Sequence, residues 1–157
     1  VIMKKRVWTT AVIIWTMLIF WFSAQPADQS EDMSLSAGRM VGRIFIPEYE
    51  QWPQERQTAF ARKIDYPVRK AAHASEYALL GFLLAGMYYS YGWTGKRWLI
   101  LSIASGVLYA CSDESHQLFV PGRAGRISDV LIDSGGVLAG VLLVLALRIW
   151  GSRQRLE

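Results

Sequence analysis

The sequence predicts an all-α membrane protein, a four-transmembrane-helix bundle with an extracytoplasmic helical loop between helices 1 and 2. Three observations carry that expectation. Hydrophobic residues make up 52 % of the 157 residues, including seven Trp and seven Tyr, while the charged residues are clustered instead of spread over the chain. Four stretches each come close to the ~20 apolar residues that a helix needs to cross ~30 Å of hydrocarbon. Most lysines and arginines flank those stretches, where they would meet lipid head groups.

The first span covers residues 7–24, "VWTTAVIIWTMLIFWFSA". It is the shortest, and Trp8, Trp15 and Trp21 suit an anchor at the membrane boundary. Its basic start "MKKR" would also fit an export signal. However, "WFSAQPA" keeps bulky aromatics to the end and sets Pro26 just after the one small-residue site, so a retained anchor is expected. The other spans are expected over residues 71–91, 98–120 and 127–150, all within one domain. Lys4, Lys5 and Arg6 precede the first span and favour cytoplasmic N- and C-termini. The basic segments "GWTGKRW" and "RIWGSRQRLE" then fall on the same side, and the loop over residues 25–70 lies outside.

That loop has structure of its own. "MSLSAGRMVGRIFIP" places Leu35, Met40, Val41, Ile44 and Phe45 near helical spacing, which predicts a helix lying on the membrane surface. Pro47 ends it. "PQERQTAFARKI" predicts another short helix after Pro53, and Pro67 marks a break between that helix and the second span. The loop reads as a structured cap over the bundle or as a lid and substrate platform.

A net charge of +4 raises the question of a nucleic-acid partner. The basic residues form no single patch and no nucleic-acid motif is present, so no nucleic acid is expected. Cys111 is the only cysteine, which excludes an intramolecular disulfide. Its apolar helical surroundings predict a small core residue.

The densest chemistry lies in "CSDESHQLFVPGRAGRISDVLIDSGG" and at the start of the second span. Under the expected topology every ionisable residue inside a span lies toward one membrane face. His73, His116 and Asp129 form an outer tier. Glu76, about one turn below His73, forms an inner one with Asp113 and Asp133, which lie roughly 10 Å and 9 Å down at 1.5 Å per residue. His73, Glu76 and Tyr77 follow i, i+3, i+4 spacing, as do Asp113, His116 and Gln117. Asp129 and Asp133 lead into Gly136 and Gly140, while Ser102, Gly106 and Ala110 lead up to Asp113 and Glu114. Small residues let helix backbones approach, so these faces should look into the bundle.

A charged side chain at mid-membrane costs roughly 2.5–3.5 kcal/mol on insertion scales. The set therefore has to pair, hydrate or work. One use is a polar lock that fixes the bundle's register. A second is catalysis by His73, Glu76, Asp113, Glu114, His116, Asp129 and Asp133. These residues would act with a divalent metal such as zinc or manganese, or as metal-free acid–base groups. A third is anion recognition by Arg123 in the "VPGRAGR" turn, with Arg69 and Lys70 at the mouth of the second span. A proton-coupled transporter would need a continuous path of polar groups through the cytoplasmic halves, and these carry no relay.

"RKAAHASEYALLGFLL" followed by "SDESHQLFVPGRAGRISDVLIDSGGVLAG" resembles the VanZ-like family of small bacterial membrane proteins. "FWFSAQPADQSEDMS" is similar to the start of many members. The resemblance implies a multi-pass protein of the bacterial cell membrane and motif positions at His73, Glu76, Tyr77, Asp113, Glu114, His116, Gln117, Arg123, Asp129 and Asp133. The family's founding member is associated with low-level resistance to the lipoglycopeptide teicoplanin, but the resemblance supplies no reaction. The expected role is to bind, or bind and modify, an envelope lipid or lipid-linked cell-wall component. Lys70, Tyr77, Gln117 and Arg123 would contact the ligand. The alternative is a non-catalytic protein that binds membrane lipid or a glycopeptide, its acid–His cluster serving as a lock.

Overall fold

A computed structural model describes residues 2–154. Val1 and residues 155–157, the end of the basic tail used in the orientation argument, lie outside the described residues. Among the described residues the fold is all-helical, with five α-helices, one 3-10 turn and no strand. The helices are α1 (Ile2–Ser23), α2 (Ala27–Phe45), α3 (Gln54–Ser90), α4 (Gly95–Gln117) and α5 (Ile127–Arg153), with the 3-10 turn at Tyr49–Gln51 before α3.

The predicted surface helix is α2, which starts directly after Pro26 and stops two residues before Pro47. Asp28 in its first turn and Arg43 in its last complement the helix dipole. Its face bearing Ser34, Leu35, Gly38 and Gly42 is buried against α3. Met33, Met40 and Ile44 form an exposed apolar stripe beside it.

One boundary differs from expectation. The separate short helix after Pro53 and the second span are a single helix, α3, which runs 37 residues through Pro67. Proline removes one backbone N–H and crowds the preceding turn, yet Pro67 is exposed. The carbonyl it leaves without a partner is thus on the open side of the helix, where other groups can satisfy it.

α3 is the hub, packing against α1, α2, α4 and α5. Its seam with α5 depends on the absence of side chains. A Cβ at Gly136 would run into the Ala74 carbonyl, one at Gly140 into the Ala78 carbonyl, and one at Gly81 into the Val137 carbonyl. Ser102, Gly106 and Ala110 are buried as expected, with Val137 packed over Gly106. Hydrogen bonds from ring groups tie the other helices in. Trp98 Nε1 donates to the Ala85 carbonyl at 2.8 Å, Trp15 Nε1 to the Glu76 carbonyl at 2.9 Å, and Tyr109 Oη to the Thr16 carbonyl at 2.6 Å.

Of the four expected spans, α1 and α5 are the two described helices long and apolar enough to cross a membrane. Only 11 % of the most apolar 18-residue window is buried in α1 and 33 % in α5, so their hydrophobic surface faces outward. The core helix of a soluble protein would be mostly buried. α3 and α4 are interrupted by polar and ionisable residues. Cys111, expected in the core, is exposed: at 100° per residue it lies about 130° round α4 from the buried centre set by Gly106, Ala110, Asp113 and Gln117.

Candidate functional site

α3 presents two neighbouring faces, and the polar residues divide between them. Toward α5, Lys70 Nζ meets Asp129 Oδ1 at 2.6 Å. One turn further along, His73 Nδ1 lies 3.6 Å from Asp133 Oδ1. The expected tiers are thereby shifted by a turn, because Lys70, expected to contact ligand, pairs with the outer acid and His73 with the inner one. Asp133 is fully buried, and neither of its carboxylate oxygens has a hydrogen-bond partner. Tyr77 is also fully buried, with its hydroxyl unpaired.

The other face of α3 borders a cavity of about 160 Å³ between α1, α2 and α3, with Asp113 of α4 and Arg123 of the α4–α5 turn also in its lining. Ile19, Phe22, Met33 and Val68 give it an apolar wall. Its polar part holds Arg69, His73, Glu76 and Asp113, with Ser23, Ser30 and Ser34 from the facing helices. His73 stands at the border of the two faces. It lines the cavity while its buried Nδ1 is directed at Asp133, leaving Nε2 as the ring nitrogen for a ligand.

Several candidates are engaged in holding structure. Glu114 Oε2 accepts the Arg126 backbone N–H at 2.9 Å and its Oε1 accepts Gln117 Nε2 at 3.2 Å, which fastens the "PGRAGR" turn to α4. Gln117 Nε2 also reaches Asp113 Oδ2 at 3.3 Å. Arg123 donates to the carbonyls of Gln25 at 3.1 Å and Phe22 at 3.2 Å, and to Gln117 Oε1 at 3.5 Å. It thus caps the open C-terminal carbonyls of α1 with a positive charge. Burial pulls its guanidinium below the ordinary arginine value and the nearby Arg69 charge adds to that, against the pull of Asp113, Glu114 and Glu76.

His116 is not brought into the cavity. Its ring packs on Phe20 with centroids 4.6 Å apart, and its Nδ1 is buried without a partner. At 100° per residue it sits about 100° round α4 from the buried centre set by Gly106, Ala110, Asp113 and Gln117. The metal set suggested by His73, Glu76, Asp113, Glu114 and His116 accordingly does not assemble. Among the described residues no group of three or more His, Cys, Asp or Glu side chains is arranged to hold a metal ion.

Sequence reasoning missed what α1 and α2 contribute, above all Ser23 and Ser34, and missed Asp65. Arg69 Nη2 donates to Asp65 Oδ2 at 2.7 Å, and Ser34 Oγ donates to Asp65 Oδ1. The i, i+4 spacing of Asp65 and Arg69 was a readable signal. The serines carried none, because nothing local says which helix faces which.

A family model described as VanZ/LLP1 matches residues 8–148. No curated protein and no solved structure matches the chain.

Proposed function

The chain belongs to the VanZ/LLP1 family, and from that premise we propose that it is a multi-pass bacterial cell-membrane protein whose cavity binds an envelope lipid or lipid-linked cell-wall component. On this reading the second half of α3 and all of α4 cross the bilayer with α1 and α5. Exposed Leu79, Ile100 and Leu108 support that placement. So does the belt at the end of the bundle away from the cavity, where cations lie over rings. Arg97 is 3.9 Å from the Trp93 ring centroid, Arg148 3.9 Å from Tyr89, and Lys5 5.2 Å from Tyr91. Such a belt suits head-group level on the cytoplasmic side, with both termini there. The cavity then opens at the outer face.

The observation that carries the proposal is the amphiphilic lining of the cavity, an apolar wall running into a cluster of Arg, His and carboxylates. Lipid-like ligands present the same two halves. Binding is the core of the reading. If chemistry follows, His73 backed by Asp133 and the adjacent Glu76 are the groups that would move protons. Any effect on teicoplanin would follow from a changed or sequestered envelope component.

A second reading has its own support. The Lys70–Asp129, His73–Asp133 and Glu114–Arg126 contacts each join separate elements, as a non-catalytic lock requires. Native mass spectrometry and lipidomics test the proposal. The purified chain should retain a stoichiometric amphiphile, and Ala37→Trp, which fills the cavity from its exposed α2 wall, should exclude it. A protein free of amphiphile, in cells whose lipids do not change with its expression, would refute the reading.

A further inference from the structure

We infer that the cavity selects an amphiphile whose head group carries a primary ammonium beside a phosphate, the ammonium meeting Glu76 and Asp113 and the phosphate meeting Arg69. This rests on the lipid-binding proposal and names the head group.

Glu76 and Asp113 both line the cavity, and among the described residues neither is in an ion pair. The side-chain partner of Asp113 is the neutral amide of Gln117. The nearby cations make their direct contacts elsewhere: Lys70 with Asp129, Arg69 with Asp65, His73 with Asp133, and Arg123 with the carbonyls at the end of α1, from where its charge still acts on both acids at longer range. Glu76 and Asp113 thus face a confined space with cations in the neighbourhood but none in direct contact, which leaves a place for a ligand cation between them. An independent observation points the same way. Ser23 lines this cavity, is 4 % exposed, and its Oγ has no partner. A buried hydroxyl of that kind is unusual unless something fills the space before it.

A primary ammonium has three N–H donors, which matches two carboxylates and one hydroxyl. A trimethylated amine has none, and a glycerol head group brings no charge to the acids. Arg69 uses Nη2 on Asp65, while its buried Nε has no partner. Arg69 and Glu76 lie two turns apart along one face of α3, so a phosphate at the first and an amine at the second set the head group along the helix. The tail then runs over Phe22 and Met33.

The test compares lysophosphatidylethanolamine, lysophosphatidylcholine and lysophosphatidylglycerol binding to the full chain purified in detergent, by titration calorimetry. The ethanolamine lipid should bind about tenfold tighter than the choline lipid, as loss of charge-assisted hydrogen bonds dictates. Glu76→Gln should erase that preference at an unchanged melting temperature, and Ser23→Ala should reduce it. Equal binding of all three, or preference for the glycerol lipid, would overturn the inference and leave the lipid-binding reading standing. Binding of none would overturn the inference too, while the lipid-binding reading stands or falls on whether the purified chain retains an amphiphile.

Discussion

On its α5 side, α3 meets glycine after glycine and two ion-paired acids. On its α1 and α2 side the same helix borders a cavity lined by the unpartnered Ser23 hydroxyl and by two carboxylates, Glu76 and Asp113, that make no direct ion pair. The first flank has no room for one more methyl group. The second leaves unfilled what folding alone would have filled. A single helix therefore carries a scaffold on one face and a receptive surface on the adjoining one, and His73 touches both.

If that division is right, substitutions should sort by flank. The largest effect is expected at the seam. Gly140→Ala forces a Cβ into the Ala78 carbonyl and should destabilise the bundle by about 3 kcal/mol. Gly135, five residues earlier, faces open space. There the alanine variant should be neutral or stabilising by up to about 1 kcal/mol through helix propensity. Thermal melts in detergent read both, and equal melting points would break the comparison.

A smaller loss is expected at the buried pair. Asp133→Asn should reduce stability by about 2 kcal/mol, because the charge facing His73 disappears inside the protein. Should melting hold and only ligand binding change, Asp133 belongs to the receptive side, and the border drawn through His73 moves toward α5. The smallest effect concerns Lys70, whose pairing with Asp129 is partly exposed to its surroundings. Lys70→Met should lower stability by about 1 kcal/mol or less and leave amphiphile affinity unaltered. A loss of affinity beyond the loss of stability would return Lys70 to the ligand-contacting group.

The scaffold flank was far more legible in the sequence than the receptive one. Runs of small residues at helical spacing, Gly136 with Gly140 and Ser102 with Gly106, announce backbone contact because no side chain is needed to interpret them. That the polar groups of α3 and α5 face one another followed from spacing, but the pairs themselves, Lys70 with Asp129 and His73 with Asp133, did not. The cavity did not, since it depends on which helices stand across from α3, and that is fixed by long-range packing. Arg123 shows the limit well. A turn arginine beside polar residues reads as an anion site, but its reach to the carbonyls of Phe22 and Gln25, about a hundred positions away in the chain, appears only when the helices are assembled. His116 misleads in the sequence because i, i+3 neighbours share only the edge of a face, and the edge here belongs to α1.

α3 crosses Pro67 without a break and extends ~55 Å, far beyond the ~30 Å of hydrocarbon a bilayer offers. The helix runs on from the part clasped by α2 to the part bearing His73, with Pro67 between them. A partner that grips or tilts α2 would act on Arg69, His73 and Glu76 through one and the same helix, coupling load on that cap to the geometry of the pocket.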